Sequence, residues 1–100
     1  MPRRRVTLAP RAIRDINDAK RWLLQEGSGP LAQGRYRAIL RAIKDLHTHP
    51  VRHRRSDDHP GRRVISVAGY RVLYTVTPDT GDNRTAGDVN VLAVLGPGEP

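Results

Sequence analysis

The sequence has 100 residues, with 18 Lys or Arg against 10 Asp or Glu, a formal net charge of +8 and no cysteine. That length allows one domain (1–100) with a modest core and leaves no room for a second. The missing cysteines exclude disulfides, thiol catalysis and cysteine zinc sites, and no apolar run is long enough to cross a bilayer or act as a signal h-region, so the expectation is a cytoplasmic protein without a membrane partner.

Residues 3–8 read as a short first strand with Val6 and Leu8 on one face. Pro10 suits the first turn of a helix, where its missing N–H costs nothing. From there Ala12, Ile16, Ala19 and Leu23 recur at helical spacing, with Ile13 widening the stripe. Gly27-Ser28-Gly29-Pro30 ends this helix and starts the next. In the second helix Ala32, Tyr36, Ile39, Ile43 and Leu46 alternate spacings of four and three, with Arg35, Arg37, Arg41 and Lys44 on other faces. Two amphipathic helices joined by a short loop form an antiparallel helical hairpin.

Residues 51–60 (VRHRRSDDHP) are polar and aperiodic, a surface loop. Gly61–Val76 then holds two β-rich runs around Ala68-Gly69, the pattern of a tight hairpin. Alternation puts Tyr70, Val72, Tyr74 and Val76 on one face and Arg71, Leu73 and Thr75 on the other. The first set is the core side, which leaves Arg71 as a lone cation in mid-strand on the opposite face. In the first run Ile65 and Val67 are expected inward, sharing their parity with Arg63. Arg62 is then near Arg71, but a bulge at the turn would reverse the pair, so both arginines stand as candidates. Residues 78–88 read as a long, mobile hairpin tip. Val89–Leu95 is apolar at nearly every position, as in a strand of the sheet interior, and the first and last strands are where an open edge is expected. Gly96-Pro97-Gly98-Glu99-Pro100 reads as a flexible tail. The fold class is therefore α+β, in the order β-α-α-β-β-β. An antiparallel sheet carries a helical hairpin on one face, and its other face is open.

All but two of the 18 basic residues (Lys20 and Lys44) are arginine, whose planar fork matches carboxylate and phosphate bidentately. Anionic partners follow: nucleic acid or an acidic protein. Arg52, Arg54 and Arg55, in a loop beside the Arg71 face, are candidates for target or nucleic-acid binding, together with Arg71 itself. The four histidines share no helix face and no carboxylate stands at a ligand spacing from them, so neither a metal nor another cofactor is expected.

Several stretches together resemble the RelE/ParE toxin superfamily of bacterial type II toxin–antitoxin systems. They are Val6-Thr-Leu-Ala-Pro-Arg-Ala12, Asp15-Ile16, Ala38–Leu46 with Pro50, and above all Gly61-Arg-Arg-Val-Ile-Ser-Val-Ala-Gly-Tyr-Arg-Val-Leu-Tyr74. The resemblance covers most of the chain. It implies a growth-inhibiting toxin, of the kind that serves plasmid stabilisation, neutralised by a cognate antitoxin that wraps it in a hetero-oligomer. It also implies one of two targets. RelE-like members cut mRNA in the ribosomal A site without a metal, using basic residues on the sheet and often a Tyr or His near the chain end. ParE-like members poison DNA gyrase. Arg71 matches the strand arginine of the ribonucleases. Gly96-Pro97-Gly98-Glu99-Pro100, however, stands where they carry further Arg and Tyr or His, which favours the ParE-like action.

Cleavage through a 2′-hydroxyl would need cations at the phosphate, a base and an acid. Arg71, Arg62 and Arg63 are the candidates for the first, and His59 or His53, with Asp57 and Asp58 behind them, for the others. Tyr70 and Tyr74 point inward and read as core. A reading from another class remains alongside: a non-toxic module that binds antitoxin or nucleic acid.

Overall fold

The computed structural model describes residues 3–100. Its elements are β1 (Val6–Leu8), α1 (Pro10–Leu23), α2 (Gly29–Asp45), β2 (Arg63–Val67), β3 (Tyr70–Thr77) and β4 (Asp88–Leu95). The strands form one sheet in the order β1-β4-β3-β2. The order of elements is as expected, but the sheet is mixed rather than antiparallel, because β1 runs parallel to β4 while β2–β3 and β3–β4 are antiparallel. The physical reason is the crossover. After β1 the two helices carry the chain to the far edge, and two reversals later β4 arrives beside β1 in the same direction. The edges are thus β1 and β2, not β4.

The hairpin turn explains why β2 and β3 pair as they do. Ala68 (φ 54) and Gly69 (φ 82) are both left-handed, the requirement of a two-residue type I′ turn whose twist matches that of the strands. Val67 therefore opposes Tyr70, Ile65 opposes Val72, and Ser66 opposes Arg71. Ile65, Tyr70, Val72, Tyr74 and Val76 enter the main core with Ala12, Ala19, Leu23, Ile39, Ile43 and Leu46 of the helical segment. Small Ala12 and Ala19 let α1 lie close to β4. There the backbone N–H of Ala9 donates to the Val91 carbonyl (2.8 Å), and the Asp15 carboxylate accepts the Val94 N–H (2.9 Å), closing the edge of β4 beyond the end of β1. A four-stranded sheet covers only a narrow stripe of α1, and Ile13, expected to widen that stripe, lies off it at 46% exposed.

In β4 the register slips where Leu73 pairs with Ala93 and Tyr74 with Val91. This bulge at Leu92 flips the parity of the strand. Val89, Val91 and Val94 face the main core, while Ala93 and Leu95 join Val64 and Leu73 in a second buried cluster on the other face. The face away from the helices is therefore not bare. Its apolar patch is roofed by the loop 51–61, whose residues 54–56 also pair with β2 through Val64 N–H to Arg54 O (3.0 Å) and Ser56 N–H to Arg62 O (2.7 Å).

The segment 78–87, expected to be mobile, is tethered at several points. The buried Arg4 donates to the carbonyls of Asn83 (2.6 Å), Ala86 (3.1 Å) and His47 (3.2 Å). The Asn83 side chain accepts the Val51 N–H (2.9 Å). Arg4 thus joins the chain start, the turn that follows α2 and this loop.

Candidate functional site: the outer face of the sheet

Arg71 stands on β3 between Ser66 of β2 and Leu95 of β4, on the face turned away from the helices. It is half-buried, and its guanidinium donates to the backbone carbonyl of Glu99. The loop 51–61 folds over this face because the backbones of Arg54 and Ser56 in it pair with Val64 and Arg62 along the edge of β2. Between loop and strands lies a cavity of about 90 Å³, lined by Arg54, Ser56, His59 and Arg71 over a floor of Val64, Leu73 and Leu95, with Asp57 and Asp58 also contributing to its walls. Nε2 of His59 is buried with no hydrogen-bond partner, and the His59 backbone N–H donates to Ser56 Oγ (3.2 Å). Ligand pockets for drug-sized molecules run to several hundred Å³, so this cavity has room for a compact polar group and not for a nucleoside.

The other residues singled out in the sequence fall into three places. Arg62 is exposed, with only its backbone engaged, to His59 and Ser56. Arg52, Arg54 and Arg55 are exposed on the loop; Arg54 lies 3.7 Å from Asp57, and Arg55 lies 3.6 Å from Asp79. Arg63 leaves the surface altogether. Its guanidinium holds both oxygens of Asp79 (2.8 and 3.0 Å) and donates to the His53 carbonyl (2.6 Å), with its side chain 9% exposed. A fork so occupied clamps the loop 78–87 to β2 and the 51–61 loop and has no donor pair left for a phosphate. Asp79 sits in a turn-rich stretch that does not by itself announce such a partner. The signal for it was parity: an arginine in the inward register of β2 requires an acid within reach.

Burial, and then the neighbouring Arg52, push the His53 imidazole below its ordinary range, opposed by Asp45. The Arg63 hydrogen bonds hold the Asp79 carboxyl below the carboxylate range, and the same bonds raise Arg63. Tyr70 and Tyr74 are core residues, as expected. Burial raises both phenols, and the Tyr74 hydroxyl donates to the carbonyl of fully buried Pro50 at 2.6 Å. Around Arg71, then, the imidazole brought closest is that of His59, which lines the same cavity. Among the described residues no group of three or more His, Cys, Asp or Glu is placed to hold a metal ion, and no helix is long and apolar enough to cross a membrane.

Comparison with known proteins places this geometry in a family. No curated protein matches the chain. Among solved structures, a chain of the chromosomal ParDE toxin–antitoxin system from P. aeruginosa superposes with a TM-score of 0.66 at 13% identity, covering 94% of this chain and 96% of that one; a likeness at that identity speaks for the fold. The family described as ParE toxin of type II toxin-antitoxin system, parDE, matches residues 6–95, from the first residue of β1 to the last of β4. The chain belongs to the ParE toxin family of type II toxin–antitoxin systems.

Proposed function

We propose that this chain is a growth-inhibiting toxin that acts on DNA gyrase, not on ribosome-bound mRNA, and that a cognate antitoxin neutralises it. Arg71, Arg54 and the exposed Arg52, Arg55 and Arg62 present the cationic surface to the target. The observation that carries the choice of target is what surrounds Arg71. Both tyrosines of β3 are buried in the core, and Arg63 is locked to Asp79. The phosphate clamp and acid–base set that RNA cleavage requires would have to come from Arg71, Arg54 and His59, with Asp57 and Asp58 of the same cavity and the exposed Arg62 beside it. That cluster is the specific support for the second reading, a ribosome-dependent endoribonuclease.

The test runs the purified chain in a gyrase supercoiling assay beside ribosome-dependent mRNA cleavage. Inhibited supercoiling with intact mRNA is the expected result. Cleavage that disappears in Arg71→Ala or His59→Ala would replace gyrase with the ribosome, and inactivity in both assays would favour a non-toxic binding module.

A further inference from the structure

Residues 96–100 are held in a particular way. The chain turns back at Gly98 (φ 84), so that, among the described residues, the hydrogen bonds and the ion pair of this segment all involve Glu99. Its N–H donates to the Gly96 carbonyl (3.1 Å), its Oε1 accepts the Gly96 N–H (2.9 Å), and its Oε2 lies 3.6 Å from the Arg11 guanidinium on α1. Its own carbonyl meets Arg71. Residues 97–100 are exposed and bury no side chain. On either side the segment borders open space: about 360 Å³ against the β2–β3 turn and about 210 Å³ against Asp15, Asp18 and Trp22 of α1. A strand end held by polar contacts at the surface, with no apolar anchor, belongs to the least stable part of a fold. The guanidinium it caps also lines the cavity with Arg54 and His59.

We propose that residues 96–100 form a cap in cis on Arg71, a carbonyl standing in for an oxyanion, and that displacement of this cap is what offers the guanidinium to an oxyanion of the target. This rests on the reading of the outer face as target-facing and adds its regulation. Arginine has five N–H donors in a fixed fork, so losing the carbonyl frees the geometry for a bidentate anion that the capped state hinders. Glu99 is the latch, because its carboxylate ties the turn to Gly96 and to Arg11.

The test compares the full chain, a chain ending at Gly96 and full-length Glu99→Ala, each shown folded by circular dichroism. The readout is the rate at which phenylglyoxal modifies Arg71, resolved by peptide mass mapping, with exposed Arg62 as internal reference. Arg71 is expected to react about tenfold faster in the shortened chain, the ratio that one charge-assisted hydrogen bond corresponds to, and to a lesser degree in Glu99→Ala. Arg62 should not change. Equal Arg71 rates in the full and shortened chains would overturn the cap. The same three proteins go into the gyrase assay, where greater potency of the shortened chain supports gating. Freed Arg71 with unchanged potency would overturn it. If no chain acts on the target, the functional reading fails, while the modification rates still decide the cap by themselves.

Discussion

Replacing Asp79 by alanine tests the clamp between the sheet and both long loops. The change removes both acceptors of Arg63 Nε and Nη2 and leaves a guanidinium that is 9% exposed with only the His53 carbonyl for company. Breaking a buried pair from one side costs about 3–5 kcal/mol; since the Asp79 side chain retains 18% exposure, the lower end, about 3 kcal/mol, applies. For a domain of this size that corresponds to a melting temperature lower by about 12–24 °C, at about 4–8 °C per kcal/mol, and to a large share of the total stability of about 5–15 kcal/mol. The assay is urea unfolding followed by far-ultraviolet circular dichroism, because Trp22 is 67% exposed in the folded chain and would report poorly. Removing both partners, as Arg63→Met with Asp79→Ala, should recover most of the loss. The pH dependence has a definite sign. Arg63 holds the Asp79 carboxyl below its unfolded value, so the unfolded chain binds the proton first as pH falls. The stability from this group is complete above about pH 4 and disappears as the pH drops through the depressed folded value. Asp79→Ala should therefore show a shallower acid limb than wild type. A loss below about 1 kcal/mol, the range of exposed ion pairs, would refute the claim that Arg63 is a buried clamp.

Three further substitutions probe other joints. Gly87→Ala would place a Cβ 1.9 Å from the Thr77 carbonyl oxygen and 2.4 Å from Pro78 Cδ; it should destabilise by at least about 1–3 kcal/mol, seen as a lower urea midpoint. Ala68→Asn puts a residue suited to the left-handed first position of the β2–β3 turn where alanine now stands at φ 54. It should stabilise by about 0.5 kcal/mol, read as a small rise in melting temperature. Tyr74→Phe leaves the buried Pro50 carbonyl without its donor and should cost about 1–3 kcal/mol by urea unfolding, while leaving action on the target unchanged.

What was legible in the sequence was whatever followed from period and turn chemistry. The hairpin over β2 and β3, the inward set Tyr70, Val72, Tyr74 and Val76, and the stripes of both helices depend only on local spacing, and each sits as expected apart from Ile13, which lies off its stripe. What was not legible depended on distant partners. The parallel pairing of β1 with β4 is a property of the crossover and not of Val6–Leu8. The Leu92 bulge hides in a strand so apolar that either parity reads as buried, and it creates the second cluster that the loop 51–61 covers. The tethering of 78–87 rests on Arg4 and Arg63, one from the chain start and one from β2, reaching carbonyls and a carboxylate far off in sequence. At the candidate site, parity and loop position single out Arg71 and His59, and both line the same cavity. Arg63, singled out with them, instead pairs with Asp79. Glu99 was missed because a Gly- and Pro-rich segment carries no sign of where it folds back.

Growth of cells after induction of the chain alone, compared with Arg71→Ala produced at the same level and shown to be folded, tests most directly whether the sheet face opposite the helices carries the toxicity. Arrest by the wild-type chain and continued growth with Arg71→Ala is the predicted result. Arrest of equal depth by the two proteins would contradict it and move the acting surface elsewhere on the molecule.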